Sequence, residues 1–507
     1  MRTKNTMKTF IYGIFFTSII AILGLVKTKV LLTYLGSEYV GVYQLFSQMY
    51  IYLSLVDGGI GASIAYQLYK PIEEKNEEQI NKIIAGAKYY FKIVGVIVII
   101  IGLALSIAIM FFIKETTIEA WYVRICFILF VLSGACSYFV SSHAILYEAE
   151  QKLYKSSNLN HLLSIVESIV AIVVSMLGGK LLTILSIFLL LSIIKNIILF
   201  RNSKKDHKYL KQVKEKDLTF KKDANNLIIN KINNLIFENV DIIIISKFLG
   251  LTQVFIYTCY NQIISMLTQM IKRLNSALLP SVGNLLVTDN KKSKNVYYEL
   301  NSLLFYIGSL LFIPLFYMLS PFISIFYGNE YALSNIITLL FVMILYINIL
   351  KISLDSYIKA SGEFKSIRNC AIYQSIVNLL LSLILVTKYG IGGVLIATIF
   401  AFITGDFINY PRIIAKKIIN DKTINYYKKS FKYLIGLVIN IIICYFFNKL
   451  LVSSNLIIWV LNGITIFIVN FILTTLYYYV TKELLFLDRL KTIFVNIFTR
   501  RNHAKVK

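Results

Sequence analysis

Apolar stretches about 20 residues long recur from Phe10 to Val480, and the charged residues fall mainly in the gaps between them. A helix needs about 20 apolar residues to cross a hydrocarbon core of about 30 Å. A soluble protein could not bury so much unbroken apolar sequence. The pattern therefore predicts an all-α, polytopic membrane protein.

The same pattern predicts about fourteen transmembrane helices. The predicted spans are 9–31, 39–62, 89–112, 120–142, 158–178, 182–200, 226–249, 253–275, 300–321, 333–356, 367–387, 391–412, 431–451 and 456–480. We group them into an N-terminal six-helix bundle (1–200), a basic cytoplasmic linker (201–225), a C-terminal six-helix bundle (226–414), a final transmembrane pair (415–480) and a basic cytoplasmic tail (481–507).

Composition agrees with this prediction, and charge sets the orientation. The 507 residues are 57% hydrophobic, and the net charge is +26. Roughly 42 of the 52 Lys and Arg residues lie on one predicted side of the membrane. Because basic residues concentrate in cytoplasmic loops, both termini are predicted to be cytoplasmic. This placement accounts for the positive charge without a nucleic-acid partner.

The sequence lacks the signatures of enzymes and of metal proteins. The predicted outer loops are short, which leaves no room for an external catalytic domain, and no P-loop motif for nucleotides occurs. Neither the five cysteines nor the four histidines show metal-binding spacing. We therefore expect a protein that is not an enzyme and has no catalytic residues, no metal and no cofactor.

The two halves of the chain contain a repeated segment. Residues 34–43 (YLGSEYVGVY) align with residues 248–257 (FLGLTQVFIY) at a constant offset of 214. The coinciding pairs are Leu35/Leu249, Gly36/Gly250, Val40/Val254 and Tyr43/Tyr257. Six predicted spans separate the copies, which indicates a parallel repeat about an axis along the membrane normal. Such repeats are typical of transporters whose binding site lies between the halves.

An ordered set of short motifs extends over residues 10–415. The set comprises Leu35-Gly36 with Gly41 and Tyr43, Asp57-Gly58-Gly59-Ile60, Glu150-Gln151-Lys152 with Tyr154, Asn239-Val240-Asp241, Phe248-Leu249-Gly250, Leu279-Pro280, Pro321 through Gly328 to Tyr331, Ala360-Ser361-Gly362-Glu363 and Tyr389-Gly390-Ile391-Gly392-Gly393. In this order the motifs resemble the polysaccharide transporters, or O-antigen and lipid-linked oligosaccharide flippases, of the multidrug/oligosaccharidyl-lipid/polysaccharide exporter superfamily.

The resemblance implies both an architecture and a cargo. Two pseudo-symmetric six-helix bundles would surround a central cavity that opens alternately to each side of the bacterial cytoplasmic membrane. The cargo would be an undecaprenyl-pyrophosphate-linked oligosaccharide carried outward for surface polysaccharide synthesis. The expected partners are this lipid-linked glycan, membrane lipids, a proton or Na⁺, and the polysaccharide polymerase and glycosyltransferases.

Five basic residues within the predicted spans or at their ends are candidates for binding the anionic head of such a cargo: Lys27, Arg124, Lys195, Arg273 and Lys351. Ionisable groups in spans are costly and usually face protein or a water-filled cavity. A pyrophosphate requires a cationic wall, and Arg adds bidentate geometry. The alternative is that each long side chain extends to the lipid head groups.

Acidic residues at membrane depth are candidates for ion coupling. Glu167 lies near the middle of the fifth span, and Glu238 and Asp241 form a polar stripe with Asn234 on the seventh. Binding of a proton or Na⁺ would neutralise such a carboxylate. The alternative is that these carboxylates pair with lysines on neighbouring helices.

Two other functions stay open. An ion-coupled multidrug exporter of the same superfamily would share the fold, although drug cations favour an acidic cavity wall. A membrane glycan polymerase would require a catalytic outer loop, which the short loops make the weakest interpretation.

Overall fold

The computed structural model describes residues 2–211, 213–220, 240–449, 451 and 455–487; side chains are not described at 2–14, 272–277, 280, 281, 287, 290, 291 and 364. Every regular element in this part of the chain is helical. The helices are α1 (Arg2–Leu35), α2 (Ser37–Leu53), α3 (Ile60–Glu73), α4 (Glu77–Ala108), α5 (Ala120–Ala135), α6 (Ser141–Ala149), α7 (Tyr154–Met176), α8 (Leu181–Asp206), α9 (240–249), α10 (Leu251–Thr288), α11 (Asn290–Phe326), α12 (Asn335–Ala360), α13 (Phe364–Phe402), α14 (Ile408–Ile413), α15 (Thr423–Lys449) and α16 (Leu456–Val480).

Ten helical stretches in the described part of the chain are long and apolar enough to cross a membrane. One of them, Lys365–Ile418, covers two predicted spans, which meet at the non-helical residue Gly390. The remaining three predicted spans are the second, the seventh and the eighth. The second is interrupted, and the eighth lies within α10. Residues 226–239 of the seventh lie outside the described residues. The all-α membrane architecture is confirmed.

The second predicted span, 39–62, is not one continuous helix, which corrects the sequence prediction. α2 ends at Leu53 and α3 begins at Ile60, with a short 3₁₀ turn between them. Gly58 and Gly59 have φ angles of 63° and 69°, in the left-handed region that favours glycine. Asp57 Oδ1 accepts a hydrogen bond from the Gly59 N–H at 2.8 Å. Hydropathy does not report backbone conformation, so the apolar pattern gave no sign of this break.

Both copies of the sequence repeat turn at a glycine of positive φ. Gly36 separates α1 from α2, Gly250 separates α9 from α10, and their φ angles are 95° and 93°. The Gly36 N–H donates to Leu32 O at 3.0 Å, and the Gly250 N–H donates to Ile245 O at 3.1 Å. Helices commonly end in a residue of positive φ, which is usually glycine. This match supports the repeat inferred from the sequence.

Residues 201–211 and 213–220, which fall within the predicted basic linker, contact the N-terminal helices. α8 continues to Asp206, so the beginning of the interval is helix. Further along, the Asp217 N–H donates to the Lys82 carbonyl on α4 at 3.1 Å. The Phe220 side chain is completely buried. Backbone hydrogen bonds and the buried Phe220 side chain hold this part of the segment on the N-terminal helices, and the linker boundaries at 201 and 225 stay predictions.

The chain forms two compact units, Met1–Tyr257 and Thr258–Lys507. In the first unit, α1 packs against α7, and α5 packs against α4 and α8. In the second, α11 packs against α12, α15 and α16. The last predicted pair of spans therefore packs against α11 of the second unit. The predicted bundle boundaries at 200, 226 and 414 stay predictions.

Candidate functional site

The first unit buries one of the predicted cations inside its helix bundle. Lys195 on α8 is 8% exposed. Its Nζ lies 3.3 Å from Asn160 Oδ1 on α7 and 3.5 Å from Ser137 Oγ. A charged amine in a membrane span needs such polar neighbours because lipid cannot solvate it. Lys195 therefore points into protein and does not extend to the lipid head groups.

Two further predicted residues, Glu167 and Lys27, form a cluster with Lys195 in which Glu167 interacts with both cations. Glu167 lies on α7, two helical turns beyond Asn160, and its carboxylate interacts electrostatically with both Lys27 and Lys195. Lys27 is carried by α1, which packs against α7. The Lys27 Nζ lies 5.0 Å from the centre of the Tyr43 ring, within cation–π range. The cluster holds two cations and one carboxylate, so its net charge favours an anion.

Asp241 on α9 is also buried, with 7% of its surface exposed. The Tyr257 hydroxyl donates a hydrogen bond to Asp241 Oδ2 at 3.0 Å. Asp241 lies 214 residues after Lys27, and Tyr257 lies 214 residues after Tyr43, so the two pairs occupy equivalent repeat positions. A lysine near a tyrosine in one copy thus corresponds to a carboxylate bound to a tyrosine in the other. The constant offset could have indicated this equivalence from the sequence.

The second unit gives Lys351 a carboxylate partner. Lys351 Nζ on α12 lies 2.6 Å from Asp406 Oδ2, and the Asp406 side chain is completely buried. Asp406 belongs to a π-helical turn, Ile403–Phe407. π-helical turns occur frequently at functional sites. Lys351 is therefore half of an ion pair whose carboxylate is buried, and it does not extend to the lipid head groups.

Of the remaining predicted site residues, only Arg124 has a described side chain. Arg124 lies near the beginning of α5 with an exposed side chain. The Arg273 side chain and the whole of Glu238 lie outside the described residues. In the described part of the chain, no three His, Cys, Asp or Glu side chains converge closely enough to hold a metal ion.

A buried polar stripe on α13 was missed by the sequence analysis. Gln374, Asn378 and Ser382 follow one another at intervals of four residues and are 4% exposed or less. The Asn378 amide donates to Thr398 Oγ1 at 2.8 Å. Asn378 Oδ1 and Ser382 Oγ have no hydrogen-bond partner among the described residues. The i, i+4, i+8 spacing places these polar residues on one face of a helix and could have indicated the stripe. Uncharged polar residues interrupt an apolar span less clearly than charged residues do.

Comparison with known proteins decides the family. A sequence profile described as "Polysaccharide biosynthesis protein" matches residues 73–336, just over half of the 507 residues. The chain belongs to this family. No curated protein matches the chain in sequence. The resemblance to polysaccharide transporters drawn from the sequence motifs is thereby confirmed.

Solved structures show the fold of this polysaccharide biosynthesis protein. The lipid II flippase MurJ, in an inward closed conformation, matches with a TM-score of 0.70 at 16% identity, over 92% of this chain and 99% of that one. An inward-facing multidrug resistance transporter of the MATE family and MOP superfamily matches with a TM-score of 0.63 at 14% identity, over 78% and 95%. A MATE structure in a bent conformation gives a TM-score of 0.54 at 16% identity, over 82% and 96%.

Proposed function

We propose that the protein is a flippase. It carries an undecaprenyl-pyrophosphate-linked oligosaccharide from the inner to the outer leaflet of the bacterial cytoplasmic membrane by alternating access. Both termini are cytoplasmic, and the transferred glycan serves surface polysaccharide synthesis of the O-antigen type. Glycosyltransferases supply the lipid-linked glycan, and a polymerase consumes it outside. The family and the transporter fold support this assignment.

The observation that carries the proposal is the cluster of Lys27, Glu167 and Lys195. A pyrophosphate brings several negative charges, and charge-assisted hydrogen bonds from lysines are among the strongest polar contacts in proteins. Asn160 and Ser137 hold Lys195 within the bundle. Glu167 balances part of the charge while no cargo is bound, and the remaining positive charge attracts the pyrophosphate.

The first test is a genetic one in cells that make the glycan. We expect Lys27→Ala together with Lys195→Ala to block export. Each charged hydrogen bond contributes about 1.5 kcal/mol, so the loss of each lysine should weaken phosphate binding about tenfold. Lipid-linked glycan should accumulate on the inner leaflet while the variant remains in the membrane.

Lys29→Ala is the matched control for this test. Lys29 lies on the same helix as Lys27 but about 200° around it, so the same loss of charge falls on a different face. We expect Lys29→Ala to export normally. Normal export by the double variant would contradict the assignment of Lys27 and Lys195 to the cargo site.

We further propose that Glu167, Glu238 and Asp241 couple transport to a proton or Na⁺ gradient. A two-state transporter needs an interaction that differs between its inward-open and outward-open states. Neutralising a buried carboxylate in one of those states provides it. We expect Glu167→Gln or Asp241→Asn to slow transfer in reconstituted vesicles and to remove its response to an imposed gradient.

The control for coupling is cargo binding, which both variants should retain. Asp355→Asn is a matched substitution, because Asp355 forms an ion pair with Lys359 at the end of α12 and contacts neither Glu167 nor Asp241. If both Glu167→Gln and Asp241→Asn respond to the gradient as the wild type does, these carboxylates have a structural role only.

An ion-coupled multidrug exporter is the second candidate, favoured by the likeness to MATE structures and by the buried carboxylate Asp241. Drug efflux from cells separates the two functions. Efflux of cationic dyes that depends on Asp241 and is insensitive to the loss of Lys27 and Lys195 would favour the exporter. A membrane glycan polymerase has no support from these contacts.

A further inference from the structure

An open cavity of about 410 Å³ lies in the second unit, between the beginning of α11 and the beginning of α15. Its lining residues are Lys294, Tyr298, Asp421, Asn425, Lys428 and Lys429. Three lysines and one carboxylate give the lining a net positive charge. The cavity belongs to neither charge cluster described above, and the Lys and Arg distribution predicts that it lies on the cytoplasmic side.

The single carboxylate in the cavity is already satisfied by the protein. Asp421 accepts hydrogen bonds from the Tyr298 hydroxyl at 2.7 Å and from the Asn425 amide at 2.8 Å, and it lies 3.1 Å from Lys294 Nζ. Burial raises the pKa of Asp421, but the hydrogen bonds outweigh burial and lower this pKa to about 2. Asp421 therefore stays ionised and neutralises Lys294.

The remaining two lysines are available to a ligand. Lys429 Nζ lies 4.5 Å from the centre of the Tyr298 ring, which holds the ammonium at the cavity. Lys428 is exposed. Within the described part of the chain, neither lysine forms an ion pair with a carboxylate. Both lie within the first two turns of α15.

The surroundings of the cavity indicate a lipid. α15 leaves the cavity with an exposed apolar face that begins next to Lys429 and is formed by Phe431, Leu434, Ile435, Val438 and Ile442. A basic pocket at the cytoplasmic end of such a face is suited to a lipid with an anionic headgroup and apolar chains. We propose that this cavity binds the phosphate headgroup of an anionic phospholipid of the inner leaflet, with its acyl chains along α15.

The test is native mass spectrometry of the purified full-length protein titrated with phosphatidylglycerol. We expect Lys428→Ala together with Lys429→Ala to weaken phosphatidylglycerol binding about thirtyfold, since each lysine near a membrane surface contributes about five- to sixfold. Lys428→Arg with Lys429→Arg keeps both charges and should bind nearly as the wild type does. Phosphatidylcholine should bind weakly and equally to all three proteins.

Lys205→Ala with Lys208→Ala is the matched control, because both lysines are exposed beside the end of α8 and lie far along the chain from the cavity. This pair should leave phosphatidylglycerol binding unchanged. Equal phosphatidylglycerol affinity in the wild type and the Lys428/Lys429 alanine variant would overturn the proposal. The proposal would also be overturned if the alanine variant lost only its binding of polyprenyl pyrophosphate, because that result would assign the cavity to the cargo. Loss of inorganic phosphate binding alone would likewise exclude a phospholipid.

Discussion

At the scale of single residues, Gly41 decides how closely the two copies of the repeated turn approach. Gly41 on α2 lies against the Leu251 carbonyl at the beginning of α10, where an added Cβ would overlap the carbonyl oxygen. Beside it, Ser37 Oγ and Thr252 Oγ1 are 3.2 Å apart and share a hydrogen bond. The two turns thus touch through a small residue and a polar pair, as is common between membrane helices.

We predict that Gly41→Ala destabilises the protein by about 1–3 kcal/mol, because a backbone carbonyl cannot move aside as a flexible side chain can. The measurement is the thermal unfolding midpoint of the purified protein in detergent. Gly61→Ala is the control, since its nearest neighbour would be Ile145 Cδ1 at an ordinary 3.5 Å. Equal midpoints for the two variants would show that the turn can relax.

The sequence predicted the charged members of the candidate site but not their partners. Lys27, Glu167 and Lys195 are conspicuous because each interrupts an apolar span. Which of them meet depends on how α1, α7 and α8 rotate and pack, and hydropathy does not contain this information. The pairing of Lys351 with Asp406 was hidden for the same reason, because the two residues lie on different elements.

At the scale of elements, the segment after α8 shows how a polar sequence can be fixed in place. Asn81 on α4 is 6% exposed. Its amide donates to the Tyr209 carbonyl at 3.1 Å, and its Oδ1 accepts from the Lys211 N–H at 2.8 Å. One side chain therefore satisfies a donor and an acceptor of the segment's backbone. Composition predicted the helices themselves well, but it could not predict this attachment.

We predict that Asn81→Ala releases the segment 207–220, because it leaves two backbone groups of the segment without their partner. Limited trypsin digestion is the measurement, since the segment is rich in lysine. Cleavage within it should be slow in the wild type and several times faster in the variant. Asn202→Ala, at an exposed position on α8, should digest as the wild type does. Equal cleavage of all three proteins would contradict the proposed role of Asn81.

At the scale of the whole molecule, fold class and family followed from the sequence because they rest on long apolar runs and on ordered motifs. The break at Gly58–Gly59 and the π-helical turn at Asp406 did not, because both depend on backbone conformation. The orientation with both termini cytoplasmic stays a prediction from the distribution of Lys and Arg.

The two copies of the repeat differ in charge at one equivalent position. Lys27 lies near Tyr43 in the first copy, and Asp241 is bound to Tyr257 in the second. The first copy of the repeat thus carries a cation where the second carries a carboxylate. This asymmetry supports a division in which the first copy binds an anionic cargo and the second responds to an ion.

The central claim is that Lys27 and Lys195 bind the pyrophosphate of a lipid-linked glycan during transfer. The most direct measurement uses vesicles containing the purified protein and a labelled undecaprenyl-pyrophosphate oligosaccharide, and follows how fast the label becomes accessible on the opposite leaflet. The wild type and Lys29→Ala should transfer the label, and Lys27→Ala with Lys195→Ala should transfer it no faster than vesicles without protein. Transfer by the double variant at the wild-type rate would contradict the account.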